Sequence, residues 1–224
     1  MPTPLVVAID GPAGAGKSTA ARMLAERLGY ALLDTGAIYR TLALLARRRN
    51  IAWDDGPAVA ALADGLDIRF SLAGGRNHVY VGGSDVTDEI RSPEISDGAS
   101  RVSALSEVRA ALLGLQRRLG AAGGVVVEGR DIGTVVFPAA SAKFYLDASA
   151  EERARRRTAE LRSGGRAVDE AAVLAEITAR DARDMNRPVA PLRRADDAVA
   201  IDSSGLSPEE VVSRMADRVR SLGG

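Results

Sequence analysis

The sequence predicts an α/β fold, a parallel sheet flanked by helices. Three observations carry this reading. Short uninterrupted apolar runs, as expected of strands buried on both faces, recur along the chain. Segments with apolar residues at helical spacing separate them. The first run also passes through a glycine-rich turn straight into such a helix.

Leu5-Val6-Val7-Ala8-Ile9 is that first run, and Ala21, Leu24 and Leu28 then keep helical spacing until Gly29 ends the helix. Tyr30 to Leu33 reads as a second buried strand, followed by a helix over Ala37–Arg49 with Tyr39, Leu42, Leu45 and Ala46 on one side. Further strands are expected at Val125–Glu128, Lys143–Leu146 and Ala198–Ile201. Two helix starts are signed by capping-box patterns, Ser149 with Glu152, and Ser207-Pro208 with Glu210.

Residues 64–100 break the rhythm. Ile68, Phe70 and Leu72 alternate with polar neighbours, Gly74-Gly75 turns the chain, and His78-Val79-Tyr80-Val81 follows. Alternation about a glycine turn predicts an antiparallel hairpin with one exposed face. The organisation expected is one domain over 1–224, with a core of 1–63 and 101–224 and a small antiparallel subdomain inserted at about 64–100.

Composition narrows the function. The 224 residues carry 30 basic and 30 acidic side chains, so the field of a general nucleic-acid or membrane binder is missing. There is no cysteine and one histidine, His78, which excludes thiolate nucleophiles and makes Ser-His catalysis and multi-His metal sites poor readings. No stretch approaches the roughly 20 apolar residues of a membrane span, and the N-terminus lacks signal-peptide character. A cytoplasmic monomer acting on small molecules is expected. Lysine occurs only at Lys17 and Lys143. A single arginine here therefore says little, whereas a well-placed lysine is informative.

Lys17 is well placed. Gly11-Pro12-Ala13-Gly14-Ala15-Gly16-Lys17-Ser18 fits G-x-x-x-x-G-K-[ST] between a buried strand and a helix. In such a P-loop the backbone N–H groups fold around an anionic phosphate chain, and the helix adds its positive N-terminal end. ATP is expected on residues 11 to 18 and Thr19, with Lys17 reaching the β and γ phosphates and Ser18 as a ligand of Mg2+. A glycine turn serving sterics alone is the competing explanation, and the strand-loop-helix setting argues against it. No guanine-reading Asn-Lys-x-Asp is present, which leaves a small phosphotransferase.

Three further clusters are candidates for the acceptor. Asp34 to Arg40 follows the second strand, and Glu128 to Thr134 follows the Val125–Val127 strand, both at carboxyl ends where open α/β sheets bind ligands. Arg180, Asp184 and Arg187 share one face of a late helix, a pattern that a solvated salt-bridged face would equally give.

These strings together resemble the bacterial cytidylate kinases, P-loop nucleoside monophosphate kinases: Ile9 to Ser18, Leu33 to Arg40, Glu128 to Pro138 and Arg180 to Leu192. The resemblance runs through nearly the whole chain and implies ATP-dependent phosphorylation of CMP and dCMP. By position it implies that Thr35, Arg40 and Arg130 hold the acceptor phosphate, that Ser100, Arg109 and Asp131 read cytosine, and that Arg180 and Asp184 reach the ribose. Arg187 would hold Asp184 and face the phosphates, making Lys17, Arg40, Arg130 and Arg187 the catalytic cations. The arginine-rich stretch 153–166 resembles the lid over ATP, though which of Arg153, Arg155, Arg156, Arg157 and Arg162 meets phosphate is open. Met185 departs from the small polar residue common in relatives.

The chemistry is consistent. A carboxylate such as Asp131 can accept from the cytosine amino group and Arg109 can donate to N3 or O2, whereas uracil would turn an acceptor towards Asp131. The rivals are a kinase for UMP, AMP or shikimate, the last needing Asp34 or Asp131 as a base, and a nucleotide-gated binding protein. Aromatics at 4% leave the last without a base-stacking platform. Tyr39 and Trp53 are expected to pack, His78 to lie at the surface, and Glu128 either to support the metal or to serve structure.

Overall fold

In the computed structural model, which describes residues 4–223, the first apolar run forms β1 (Val6–Asp10) at the centre of a five-stranded sheet. Its other strands are β2 (Ala31–Asp34), β6 (Val125–Gly129), β7 (Ala142–Asp147) and β8 (Val199–Asp202), in the order β2-β6-β1-β7-β8, all parallel. Successive residues alternate faces. Val7, Ile9, Leu32 and Val126 therefore join one apolar core with α1 (Lys17–Leu28) and α8 (Pro208–Ser221). Ala8, Leu33, Val125 and Val127 join the opposite core with α2 (Thr35–Arg48), α3 (Gly56–Ala61), α4 (Pro93–Val102) and α5 (Ser106–Gly120). Both faces are covered over β1, β6 and β7, which is why these strands read as apolar runs, whereas the edge strand β8 buries only Ile201.

The hairpin forms as expected. β3 (Ile68–Ala73) pairs antiparallel with β4 (Arg76–Val81), and Ala73 faces Arg76 across Gly74 and Gly75, whose φ values of 57° and 70° suit a two-residue turn. A short β5 (Ser84–Asp85) completes this second sheet. Beyond the turns that follow the strands, the end of 64–100 is helical. After a 3₁₀ turn at Glu89–Arg91, the Ser92 hydroxyl accepts from the Ile95 N–H at 3.3 Å and starts α4, which runs past residue 100. Ile68, Val79, Val86, Ile90 and Ile95 are continuous with the α2 core.

Two expectations shift locally. The helix expected from Ala37 begins at Thr35, because the Asp34 carboxylate caps it by accepting from the Ala37 N–H at 2.9 Å. The Ser207–Glu210 capping box is complete, but at Ser149 only half exists: its hydroxyl accepts from the Glu152 N–H, while the Glu152 carboxylate pairs with Arg155 and Arg156. That second start opens α6 (Ala150–Ser163), which packs on α7 (Glu170–Asn186) through a small core of its own around Ala154, Val173 and Ile177. Trp53 anchors packing, its indole donating to the Ala43 carbonyl at 2.9 Å. His78 lies at the surface as expected, partly covered, with Nδ1 3.3 Å from Asp85. Among the described residues no helix is long and apolar enough to cross a membrane.

Candidate active site

The site lies along the carboxyl edge of the sheet, where β1, β2 and β6 end side by side. The phosphate loop leaves β1 at Gly11, where a Cβ would come within 1.9 Å of the Leu146 carbonyl oxygen, so only glycine fits. Gly16, at φ 87°, is the N-cap of α1 and brings no side-chain cap. The first N–H groups of α1 thus keep their donor capacity for an anion. Gly14, Ser18 and Thr19 are exposed, while Ala15 and Lys17 are buried. The Lys17 ammonium donates to the Pro12 carbonyl at 2.5 Å. Its pKa is held well below the ordinary lysine value, first by burial and then by the neighbouring Arg130 guanidinium. The Ser18 hydroxyl donates to Glu128 at 2.9 Å. Burial, with Asp34 nearby, raises the Glu128 carboxyl to about 7.

At the ends of β2 and β6, Asp34 turns its second oxygen to Arg40, which donates at 2.6 Å. Thr35 donates its hydroxyl to the Glu128 carbonyl at 2.7 Å. Arg130 donates from Nε to Asp184 at 2.9 Å. Arg180 is half-buried, with a buried Nε that has no hydrogen-bond partner. Its pKa is lowered to about 10, by burial first and then by Arg130, with Arg40 also contributing. Lys17, Arg40, Arg130 and Arg180 therefore form one cationic crowd, in which Arg130 and Arg180 disfavour the charge of Lys17, and Arg130 and Arg40 that of Arg180. A multiply charged anion would relieve that repulsion.

Beside this crowd sits a buried carboxylate between two arginines. Asp131 is paired through Oδ2 with Arg109 and accepts from Arg187 on Oδ1 at 3.2 Å. Arg109 also donates to the Ser103 carbonyl at 3.2 Å and lies 5.6 Å over the Tyr39 ring. Tyr39 packs in the α2 core as expected, and its ring face also supports Arg109. Arg187 is not on the helix, as expected from spacing, but is its C-cap; it donates to the Ala190 carbonyl and reaches Asp184 only at 3.9 Å. The Ser100 hydroxyl is buried and has no partner. An unpartnered buried polar atom is costly and is explained where a ligand satisfies it.

Of the arginines at 153–166, Arg153 is buried. It donates to the Ala148 and Ala13 carbonyls, both at 2.9 Å, and pairs with Asp181 at 2.5 Å, while Asp181 accepts from the Ala13 N–H at 3.2 Å. Arg156 donates to the Ser203 hydroxyl and carbonyl at 3.0 and 2.7 Å. Arg155 and Arg157 pair with Glu152 and Glu160 of their own helix, and Arg162 donates to the Val168 carbonyl. Asp10, Asp181 and Ser203 were not candidates from sequence. Asp10 is buried at the end of β1 and accepts from the Ile132 and Gly133 N–H groups at 2.8 Å each. Burial raises its carboxyl to about 6.

A family model described as cytidylate kinase matches residues 7–221. The cytidylate kinase of Geobacter sulfurreducens is 54% identical over 216 residues, 96% of this chain and 93% of its own. That of Pasteurella multocida is 48% identical over 214 residues, 96% of this chain and 94% of its own. An uncharacterized protein of known structure from Eubacterium ventriosum shares the fold, with a TM-score of 0.53 at 14% identity over 97% of this chain and 98% of that one. On the family match and the extent of these identities, the chain belongs to the cytidylate kinase family.

Proposed function

We propose that this protein transfers the γ-phosphoryl group of ATP to CMP and dCMP, giving ADP and the nucleoside diphosphate. The observation that carries the reading is the cationic crowd: Lys17 beside the phosphate loop senses Arg130 and Arg180 of the acceptor side. Two phosphate groups that must approach each other repel strongly, and such a crowd is what their approach requires. An acceptor phosphate oxygen attacks the γ-phosphorus in line as the bond to the bridging β–γ oxygen breaks. The acceptor's second pKa is near 6, so no general base is needed. A hydroxyl acceptor would need one, yet Asp34 is occupied by Arg40 and the Ala37 N–H, and Asp131 by two arginines.

Arg40 and Arg130 hold the acceptor phosphate in this reading, with Thr35 steadying the carbonyl of Glu128 beside them. Arg180 and Asp184 face the ribose. Asp131, Arg109 and the Ser100 hydroxyl read cytosine. A carboxylate has about four lone-pair sites, so Asp131 can hold both arginines and still accept from the cytosine amino group. The inserted segment 64–100 belongs to the acceptor side, and residues 153–166 cover ATP with Arg153 and Arg156 already tied to the loop and to Ser203.

The donor set suits magnesium. Ser18 offers a hydroxyl beside the Glu128 carboxylate, and Mg2+ takes its other ligands from water and phosphate rather than from an all-protein cage. Among the described residues no group of three or more His, Cys, Asp or Glu side chains could hold a metal alone, the pattern of an ion shared with ATP. When bound, the ion would neutralise phosphate charge.

The test is ADP release from Mg-ATP with CMP, dCMP, UMP, AMP, GMP and shikimate offered separately. Turnover confined to CMP and dCMP is expected. Equal turnover of UMP would remove the cytosine assignment, and turnover with none of them would remove the reaction.

A further inference from the structure

We infer that Asp10 is a positioning residue for acceptor choice: it caps the π-helical turn after Asp131 and so leaves the Asp131 side chain free to face the arginines and the acceptor base. The inference rests on the reading of Asp131 as the cytosine contact.

Three observations support it. The first concerns the turn itself. Residues Ile132–Val136 form a π-helical turn whose N-cap position is Asp131, and Asp131 makes no capping hydrogen bond there. An aspartate at an N-cap ordinarily accepts from the first N–H groups of its own helix. Here both oxygens are committed elsewhere, to Arg109 and Arg187.

The second is what replaces it. The capping function is carried by Asp10 from another strand, with Oδ1 accepting from Ile132 and Oδ2 from Gly133, each at 2.8 Å. Asp10 supplies the cap that Asp131 does not, and the remote cap is what allows the local carboxylate to face the site.

The third is the tightness of the lock. Asp10 is 4% exposed and sits in register with Gly129 of β6 and Tyr145 of β7, so the sheet fixes its backbone on both sides. A Cβ at Gly133 would stand 3.4 Å from Asp10 Oδ2 and 3.1 Å from Lys143 Cδ, which leaves that position little room to turn. Asp10 also precedes Gly11, the first residue of the phosphate loop. One residue at the end of the central strand thus fixes the base-reading turn while its neighbour begins the ATP loop.

The test is Asp10→Asn, which keeps the shape but offers one acceptor to two N–H groups. The CMP-to-UMP ratio of kcat/KM is expected to fall about tenfold, the equivalent of one lost hydrogen bond, with KM for ATP within about twofold of wild type. The Ile132 and Gly133 amides are expected to exchange hydrogen faster. An unchanged ratio, or amides as protected as in wild type, would overturn the inference.

Asp131→Asn is measured alongside. If it leaves the ratio unchanged, the cytosine reading falls, and the inference about acceptor choice falls with it. If it lowers the ratio and Asp10→Asn does not, the inference falls alone. In the double variant the ratio should be no lower than in Asp131→Asn, and additive losses would overturn the linkage. Should Asp10→Asn fail to fold, Gly133→Ala disturbs the same lock from the other side and is expected to lower the ratio. No change with it would count against the proposal equally.

Discussion

Oε2 of Glu128 accepts a hydrogen bond from the Ser18 hydroxyl at 2.9 Å, joining the end of β6 to the first turn of α1. Burial, then the charge of Asp34, lifts the Glu128 carboxyl to about 7, while Lys17 opposes the shift. The folded protein therefore binds this proton more tightly than the unfolded chain does. Stability from this group is present below the ordinary glutamate range and is lost as pH rises through about 7. The loss is on the order of 3 kcal/mol. Denaturant unfolding of Glu128→Gln at pH 5 and pH 8 should show a smaller difference than wild type. An equal difference in both proteins would contradict this account.

Lys17 presents the same conflict with opposite sign. Burial and Arg130 disfavour its charge, so the ammonium costs the folded protein stability that the reaction recovers. Lys17→Ala is expected to lower kcat by about 10²–10³-fold without lowering Tm. Thermal melts beside steady-state rates check both halves. A fall in Tm that accounts for the lost activity would mean that Lys17 serves folding instead.

For Asp131, the structure decides which substitution is informative. Asp131→Ala would leave Arg109 and Arg187, both buried, without their shared partner, at a cost of about 3–5 kcal/mol. Asp131→Asn keeps one acceptor. It is expected to lower CMP preference over UMP by about 10–100-fold with a smaller loss of Tm. A substrate panel measures this, and an identical loss with every acceptor would reject the role in base reading.

What the sequence made legible is what local pattern specifies. The phosphate loop is read from contiguous residues, and β1 from a run that is apolar because both faces are covered. Helix α4 was hidden, because its start, Ser92-Pro93, lies inside a segment whose alternation signals a hairpin. Among arginines the limit is composition. Arg153 and Arg155 lie two apart on one helix, yet one is buried against the loop and the other pairs with Glu152 in solvent. Only tertiary packing separates them. Asp10 finds its partners 122 and 123 residues away, a distance that no local pattern spans. Ser100 and Arg109 came from the resemblance alone, and the structure adds a reason for each: an unpartnered buried hydroxyl and a carboxylate partner.

One glycine sets how closely α4 packs on Trp53. A Cβ at Gly98 on α4 would stand 2.5 Å from the Trp53 ring, whose indole is itself fixed to the Ala43 carbonyl. Gly98→Ala adds a methyl that the ring cannot easily clear, and overpacking of this kind costs about 1–3 kcal/mol. A lower Tm is expected, with CMP turnover retained at low temperature. An unchanged or raised Tm would mean that the ring moves freely.

Finally, Arg153 and Asp181 close a clasp on the phosphate loop. Ala13 gives its carbonyl to Arg153 and its N–H to Asp181, and the two side chains meet each other at 2.5 Å. Both are buried, so either single substitution strands a charge and should cost more than the double substitution implies. In a double-mutant cycle of Arg153→Ala and Asp181→Asn, the unfolding free energies should be coupled by about 1–3 kcal/mol. Arg153→Ala should also raise KM for ATP about tenfold, the scale of one charge-assisted hydrogen bond, while leaving KM for CMP nearly unchanged. That split separates a clasp on the donor loop from general loosening, which would raise both. Additive stabilities with equal changes in both KM values would show that the loop holds its shape without the clasp.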